Sequence, residues 1–155
     1  MERIQTKKAR ISIIGMGYIG LPTATMFASA GYTVYGYDVN KEVIETLKQG
    51  KIHIVEPDLN GLFKSVLDSG SLIPTNEMIE SDVYIICVPT PFKEDHNEKK
   101  VDLSYVESAS EAVSKVLKEG DLVILESTVP PETTDICMND ILEKESGLKV
   151  NENYY

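Results

Sequence analysis

The chain has 155 residues, a formal net charge of −10 and an apolar fraction of 42%, which is the composition of one ordinary globular domain. The excess of acid argues against nucleic acid or an anionic membrane as a partner, because either would require a basic face. No apolar run is long enough to span a bilayer and no signal peptide is evident at the N-terminus, so we expect a cytoplasmic protein.

Strand-like and helix-like segments alternate along the chain. Short apolar runs rich in β-branched residues predict strands, and apolar residues repeated every three or four positions predict helices. This alternation predicts a single α/β domain with a doubly wound parallel sheet. In chain order, we predict a strand at 11–14, a helix at 18–30, a strand at 33–37, a helix at 41–49, a helix from 59 to the Gly70 stop, a short strand near 72–73, a strand at 83–88, a charged loop at 92–100, a helix capped by Asp102 and closed by Gly120, a strand at 122–125, a helix opened by Pro130 and Pro131, and a strand beginning at 148–150.

A glycine motif, G-x-G-x-x-G, joins the first predicted strand to the first helix. Gly15 allows the tight turn out of the strand, Gly17 lets the backbone approach a pyrophosphate, and Gly20 lets the helix pack closely on the sheet. The free N–H groups and the positive dipole end of the helix would then face the phosphates. In this setting the motif predicts a Rossmann-type dinucleotide-binding fold, with Tyr18 and Ile19 in the same loop.

An acidic residue, Asp38, ends the second predicted strand. Its carboxylate can accept hydrogen bonds from the hydroxyls of the adenosine ribose, whereas it would repel a 2′-phosphate. The sequence therefore predicts NAD, rather than NADP, as the cofactor. A role for Asp38 as a turn residue before the next helix is compatible with this prediction, and Asn40 is predicted to cap that helix.

Neither cysteine is predicted to do chemistry. Cys87 lies in an apolar strand and Cys137 lies among apolar residues of a predicted helix, so both are expected to pack as small hydrophobic side chains. Their spacing suits no metal, and we predict no metal site. We assign no ligand or base role to His96, and we expect Tyr154 and Tyr155 to be the exposed stub of a broken strand.

The loops predicted at one edge of the sheet resemble those of the UDP-glucose/GDP-mannose dehydrogenase family. The resemblance covers essentially the whole chain, which corresponds to about the first third of a family member. It is carried by G-M-G-Y-I-G-L-P-T-A at 15–24, I-H-I-V-E-P-D-L at 52–59, V-P-T-P-F at 88–92 with Asp95 and His96, Y-V-E-S-A at 105–109, and L-V-I-L-E-S-T at 122–128.

The resemblance implies an enzyme that oxidises the primary alcohol of a nucleotide sugar, expected to be UDP-N-acetyl-D-mannosamine, to a carboxylate with two NAD per turnover. A cysteine of the family captures the intermediate aldehyde. That cysteine, its lysine and asparagine neighbours and a glutamate correspond to positions beyond Tyr155. We therefore expect residues 1–155 to be the NAD-binding domain, without the central and C-terminal UDP-sugar-binding domains, and to bind NAD without turnover. The resemblance also implies a homo-oligomeric full-length enzyme.

The resemblance transfers a set of cofactor residues to this chain. Thr128 would lie beside the nicotinamide and help to position the hydrolytic water, although a plain helix-capping role is equally open. Thr90 could also simply order a turn between two prolines. Lys41 would add a cation near the adenosine ribose. The implied cofactor-binding residues are Gly15, Gly17, Tyr18, Ile19, Gly20, Asp38, Thr90, Thr128 and Thr134.

Two other functions fit the same residues. A domain of this length could sense or sequester NAD without any oxidoreductase role. It could also belong to a dehydrogenase that acts on a different nucleotide sugar, such as UDP-glucose, GDP-mannose or another UDP-N-acetylhexosamine, because this half of the family does not hold the sugar.

Overall fold

A computed structural model describes residues 2–93 and 100–155. Asp95 and His96, which contribute to the family resemblance, lie outside the described residues. The elements are α1 (Glu2–Gln5), β1 (Arg10–Ile14), α2 (Gly20–Ser29), β2 (Thr33–Tyr37), α3 (Lys41–Lys48), α4 (Leu59–Asp68), β3 (Leu72–Thr75), β4 (Val83–Ile86), β5 (Phe92–Lys93), β6 (Lys100–Val101), α5 (Ser104–Ser114), β7 (Leu122–Leu125), a π-helix (Thr134–Asn139) and α6 (Asp140–Ser146).

Five parallel strands form the central sheet in the order β3-β2-β1-β4-β7. β1 and β4 are neighbours at the centre of the sheet. From β1 the chain adds strands toward one edge, and from β4 it adds them toward the other, so the strand order reverses between these two strands. This is the strand order of a doubly wound dinucleotide-binding fold, in which ligands lie at the carboxyl ends of the strands beside the reversal. The predicted fold class is confirmed.

Alternation along the strands divides the core between the two faces of the sheet. Ile11 and Ile13 of β1 pack in one cluster with α2, α3 and α4, whereas Ile14 packs in a second cluster with α5 and α6. Every residue of β4 is buried, as expected for a parallel strand covered on both sides. No helix within residues 2–93 and 100–155 is long and apolar enough to cross a bilayer.

Two predicted boundaries in the middle of the chain are wrong. The two ends of the segment predicted as a loop at 92–100 lie in β5 and β6, which pair in antiparallel orientation. The helix that follows ends at Ser114, well before Gly120. The amide of Asp121 then bonds to the carbonyl of Lys118, and its carboxylate accepts the amide of Lys118 at 3.0 Å, so a turn replaces the last predicted turns of helix.

The C-terminal predictions also need correction. The helix begins after Pro130 and Pro131, at Thr133, and it opens as a π-helix. Residues 148–150 form only an isolated bridge, from Val150 to Tyr154. The chain pairs with the free edge of β7 further on, where the amide of Tyr155 donates to Asp121 and its carbonyl accepts from Val123. Tyr154 is fully buried in the second core cluster and is not an exposed stub, because this pairing directs its ring beneath α6.

Tyr84, at the centre of β4, carries a buried hydroxyl that is fully satisfied. It accepts the amide of Ser81 at 2.9 Å and donates to the carbonyl of Val116 at 3.1 Å. Burial raises the pKa of Tyr84 from 10.0 to about 12. The neutral hydroxyl therefore ties β4 to the loop after α5.

We expect Tyr84→Phe to lower the free energy of unfolding by about 1–3 kcal/mol at neutral pH, because two buried backbone groups lose their partner. The raised pKa keeps the hydroxyl protonated in the folded chain while the unfolded chain ionises near pH 10, so its contribution is complete below pH 10 and is lost between pH 10 and about 12. Urea unfolding should show the difference between the two proteins shrinking over that window. Tyr35→Phe on β2 is the control, and a pH-independent difference would contradict the assignment.

Candidate functional site

A cleft of about 840 Å³ opens at the carboxyl ends of β1, β2 and β4, at the point where the strand order reverses. This is where a doubly wound sheet binds its ligands. Five of the predicted cofactor residues line it: Gly15, Gly17, Tyr18, Ile19 and Asp38. The other lining residues are Ile14, Tyr37, Val39, Asn40, Val43, His53, Cys87, Val88, Pro89, Tyr105, Ser108, Ala109 and Ala112.

Two glycines of the loop after β1 are required by packing. Gly15 has φ +94°, and a Cβ there would lie 2.6 Å from the carbonyl oxygen of Cys87. A Cβ on Gly20 would lie 1.8 Å from the carbonyl oxygen of Gly15. No side chain fits at either position, so the turn out of β1 can pack against β4 and start α2 only with glycine.

The third glycine is not explained by packing. No atom lies within 4 Å of a Cβ placed on Gly17, which faces the open cleft. The amides of Gly17, Tyr18 and Ile19 have no hydrogen-bond partner among the described residues, and α2 begins immediately after them, at Gly20. Unpaired amides at the start of a helix, beside a position without a side chain, form a cradle suited to a phosphate group.

Asp38 lines the same cleft beside the glycine loop, and its carboxylate is held in place by backbone. Oδ2 accepts the amide of Met16 at 2.8 Å and Oδ1 accepts the amide of Asn40 at 2.8 Å. Asn40 in turn caps α3 by accepting the amide of Glu42, as predicted. Since an ionised carboxylate has about four acceptor sites, two remain open toward the cleft. Asp38 can therefore accept a pair of hydroxyls without losing its own support.

Residues of α5 form a further wall of the cleft, and no site role was predicted for them from the sequence. Tyr105, Ser108 and Ala112 recur at helical spacing on the face of α5 beside the one that enters the core. Because this face of the helix combines aromatic, polar and small residues, the apolar periodicity of the sequence does not mark it. With Val88 and Pro89 after β4, it gives the cleft a side with apolar residues.

Thr90 and Thr128 lie together, outside the residues that line the cleft. The hydroxyl of Thr90 donates to the carbonyl of Thr128 at 2.7 Å, and the hydroxyl of Ser127 donates to the carbonyl of Val88 at 2.9 Å. These two bonds tie the loop after β4 to the loop after β7. The side chain of Thr128 is exposed and makes no hydrogen bond within the described part of the chain.

The two remaining predicted residues lie outside this lining. Thr134 is exposed at the first position of the π-helix, and Lys41 is exposed at the first position of α3. His53, which the sequence did not single out as a site residue, is an exposed residue of the cleft wall. The structure thus gathers the glycine loop and Asp38 into one cleft and places the threonines beyond it.

Cys87 lies just after β4 and lines the cleft, rather than lying in mid-strand as predicted. Its thiol donates to Oε2 of Glu126 at 3.3 Å. Burial, and then the charge of Glu126, raise the pKa of this thiol well above its usual range. Since the thiolate is the nucleophile, this raised pKa argues against a nucleophilic role for Cys87, and its role as a packing residue stays a prediction. The structure shows no group of three or more metal-ligating side chains within residues 2–93 and 100–155.

The sheet order, the glycine loop and the facing carboxylate define a dinucleotide-binding Rossmann domain. The family model of the UDP-glucose/GDP-mannose dehydrogenase family, NAD binding domain, matches residues 9–155. The chain belongs to this family and contains its NAD-binding domain.

Similar proteins include the UDP-N-acetyl-D-mannosamine dehydrogenase of Campylobacter jejuni, which is 48% identical over 90% of this chain and 34% of that protein. The enzyme of the same name from Escherichia coli K12 is 50% identical over 82% of this chain and 30% of its own length. A solved UDP-N-acetyl-mannosamine dehydrogenase from Staphylococcus aureus matches with a TM-score of 0.88 at 39% identity, over 94% of this chain and 35% of that one. The chain thus spans about a third of the length of these relatives.

Proposed function

We propose that this cleft binds NAD through the predicted residues. The amides of the loop from Gly15 to Gly20, including Tyr18 and Ile19, hold the pyrophosphate, and Asp38 holds the adenosine ribose. The observation that carries the proposal is that one cleft contains both the unpartnered amides of Gly17, Tyr18 and Ile19 and the carboxylate of Asp38, which keeps acceptor sites open.

The position of the nicotinamide half of the cofactor follows from the strand order of the sheet. With the adenosine ribose at the end of β2, the other half of a dinucleotide extends over β1 toward β4 and β7. We assign Thr90, Thr128 and Thr134 to that nicotinamide side. The bond between Thr90 and the carbonyl of Thr128 would fix the two loops there, and the hydroxyl of Thr128 would hold the hydrolytic water.

We propose that the whole protein oxidises the primary alcohol of UDP-N-acetyl-D-mannosamine to the uronate. The support is the identity to relatives named for that substrate, at 48% and 50%. Bound NAD would supply the hydride acceptor, while this chain's residues bind and orient it. A relative named NDP-N-acetyl-D-galactosaminuronic acid dehydrogenase is equally similar, at 50% identity over 81% of this chain, so the choice of sugar must be tested by experiment. Family resemblance also supports a cytoplasmic homo-oligomer.

We expect the 155-residue chain to bind NAD and to produce no NADH with UDP-N-acetyl-D-mannosamine, because the relatives are about three times as long and we place the sugar chemistry in their remainder. Isothermal titration calorimetry with NAD and NADP, and absorbance at the NADH band with UDP-N-acetyl-D-mannosamine, UDP-glucose and GDP-mannose, test the two parts separately. Steady NADH formation would contradict the placement of the chemistry, and tighter binding of NADP than NAD would contradict the role of Asp38.

A further inference from the structure

Glu126 is a carboxylate at the sheet edge that the proposed cofactor contacts do not use. It follows β7 directly, and its amide donates to the carbonyl of Ile86 at 2.8 Å, so it stands level with the end of β4. Its Oε2 accepts the thiol of Cys87 at 3.3 Å, and its Oε1 lies 3.4 Å from the hydroxyl of Thr23 on α2. The carboxylate therefore sits between β4, β7 and the start of α2.

The charge of this carboxylate is not neutralised by its neighbours. Both groups that donate to it, a thiol and a hydroxyl, are neutral, and no lysine or arginine of the described residues forms an ion pair with it. Its negative potential reaches the cleft, because it contributes to raising the pKa of Cys87, which lines the cleft beside Gly15.

Glu126 lies on the nicotinamide side of the proposed site. Asp38 marks the adenosine end at β2, and β1 and β4 separate β2 from β7 in the sheet. A dinucleotide that crosses the glycine loop from Asp38 brings its second base to the ends of β4 and β7. That base differs between the two redox states, since the ring carries a positive charge in NAD⁺ and none in NADH.

We propose that Glu126 biases the cleft toward the oxidised cofactor by placing a negative charge beside the cationic nicotinamide ring. The inference rests on the proposed function and adds a preference that the glycine loop and Asp38 cannot supply, since both contact parts that NAD⁺ and NADH share. Loss of the ring charge on hydride transfer removes the attraction, which favours exchange of the product NADH for fresh NAD⁺.

The test compares NAD⁺, NADH and ADP-ribose, which lacks the nicotinamide, as ligands of the wild-type chain and of Glu126→Gln. Dissociation constants come from calorimetry, with NADH fluorescence as a second readout. We expect Glu126→Gln to weaken NAD⁺ binding roughly three- to sixfold, the scale of one solvent-exposed charge about 4–6 Å away at the dielectric constant of water, and to leave NADH and ADP-ribose unchanged. Glu145→Gln, an exposed glutamate of α6, removes the same charge as a control.

Two further measurements separate charge from structure. Glu126→Asp keeps the charge and should retain a preference for NAD⁺. In the wild-type chain the ratio of NAD⁺ to NADH affinity should fall as salt rises, since an exposed charge is screened, and this needs no variant. An equal loss for all three ligands would show a structural clamp and overturn the inference, as would an unchanged ratio. A wild-type chain that binds none of the three would overturn the proposed function and this inference with it.

Discussion

Gly20→Ala should both destabilise the fold and abolish the cofactor site. The added Cβ would lie 1.8 Å from the carbonyl oxygen of Gly15 and 3.2 Å from the Cβ of Cys87. The first neighbour is backbone, which no rotamer change can move, so α2 must shift away from the turn. We expect the free energy of unfolding to fall by about 2–4 kcal/mol, the upper range for overpacking a core. Urea unfolding measures this loss, and calorimetry should show NAD binding weakened by more than about tenfold, since 1.4 kcal/mol already corresponds to that factor.

Gly17→Ala is the matched control in the same loop. No atom lies within 4 Å of its added Cβ, so stability should change little, while the methyl group occupies the space where a pyrophosphate approaches. NAD affinity should therefore fall without loss of fold. Gly61→Ala, in α4 and equally open, should leave NAD affinity unchanged. If Gly20→Ala unfolds at the same urea concentration as wild type, the packing account of this loop is wrong.

Asp38→Asn should weaken NAD binding by about 1–3 kcal/mol, because charge-assisted hydrogen bonds to the adenosine ribose are replaced by weaker ones. Discrimination against NADP should fall at the same time, because the repulsion of a 2′-phosphate disappears. Calorimetry with NAD, NADP and ADP-ribose measures both effects. ADP-ribose should lose as much affinity as NAD, since both carry that ribose.

The controls for Asp38 must separate its effect on ligand binding from its effect on the stability of the loops whose amides it accepts. The substitution also disturbs the acceptors for the amides of Met16 and Asn40, so thermal unfolding without ligand is measured alongside. Asp68→Asn, at the exposed end of α4, removes the same charge away from the cleft. An Asp38→Asn protein that keeps the NAD affinity and the NAD preference of wild type would contradict the assignment of the ribose to Asp38.

The local part of the site could be predicted from the sequence because its determinants are local. Gly15 and Asp38 directly follow strands and Gly20 begins α2, and the roles predicted for them follow from the turn, the strand end and the helix start. The doubly wound parallel sheet was predicted from the alternation of strands and helices, whereas its strand order is known from the structure alone. The capping of α3 by Asn40 was likewise readable, since the side chain bonds two residues further on.

The rest depends on contacts between residues that are distant in sequence. Tyr154 is buried because the chain end pairs with β7, thirty or so positions earlier, and a terminal tyrosine alone gives no sign of this. The face of α5 that lines the cleft is defined by where that helix docks, and the donation from Cys87 to Glu126 joins two strands. Such details follow from tertiary packing, which periodicity does not report.

A crystal structure of this chain with NAD⁺ tests the central claim most directly. The account predicts the diphosphate within hydrogen-bond distance of the amides of Gly17, Tyr18 and Ile19, with the adenosine ribose hydroxyls on the carboxylate of Asp38. A cofactor bound elsewhere, or a cleft left empty at saturating NAD⁺ with the loop unchanged, would contradict it.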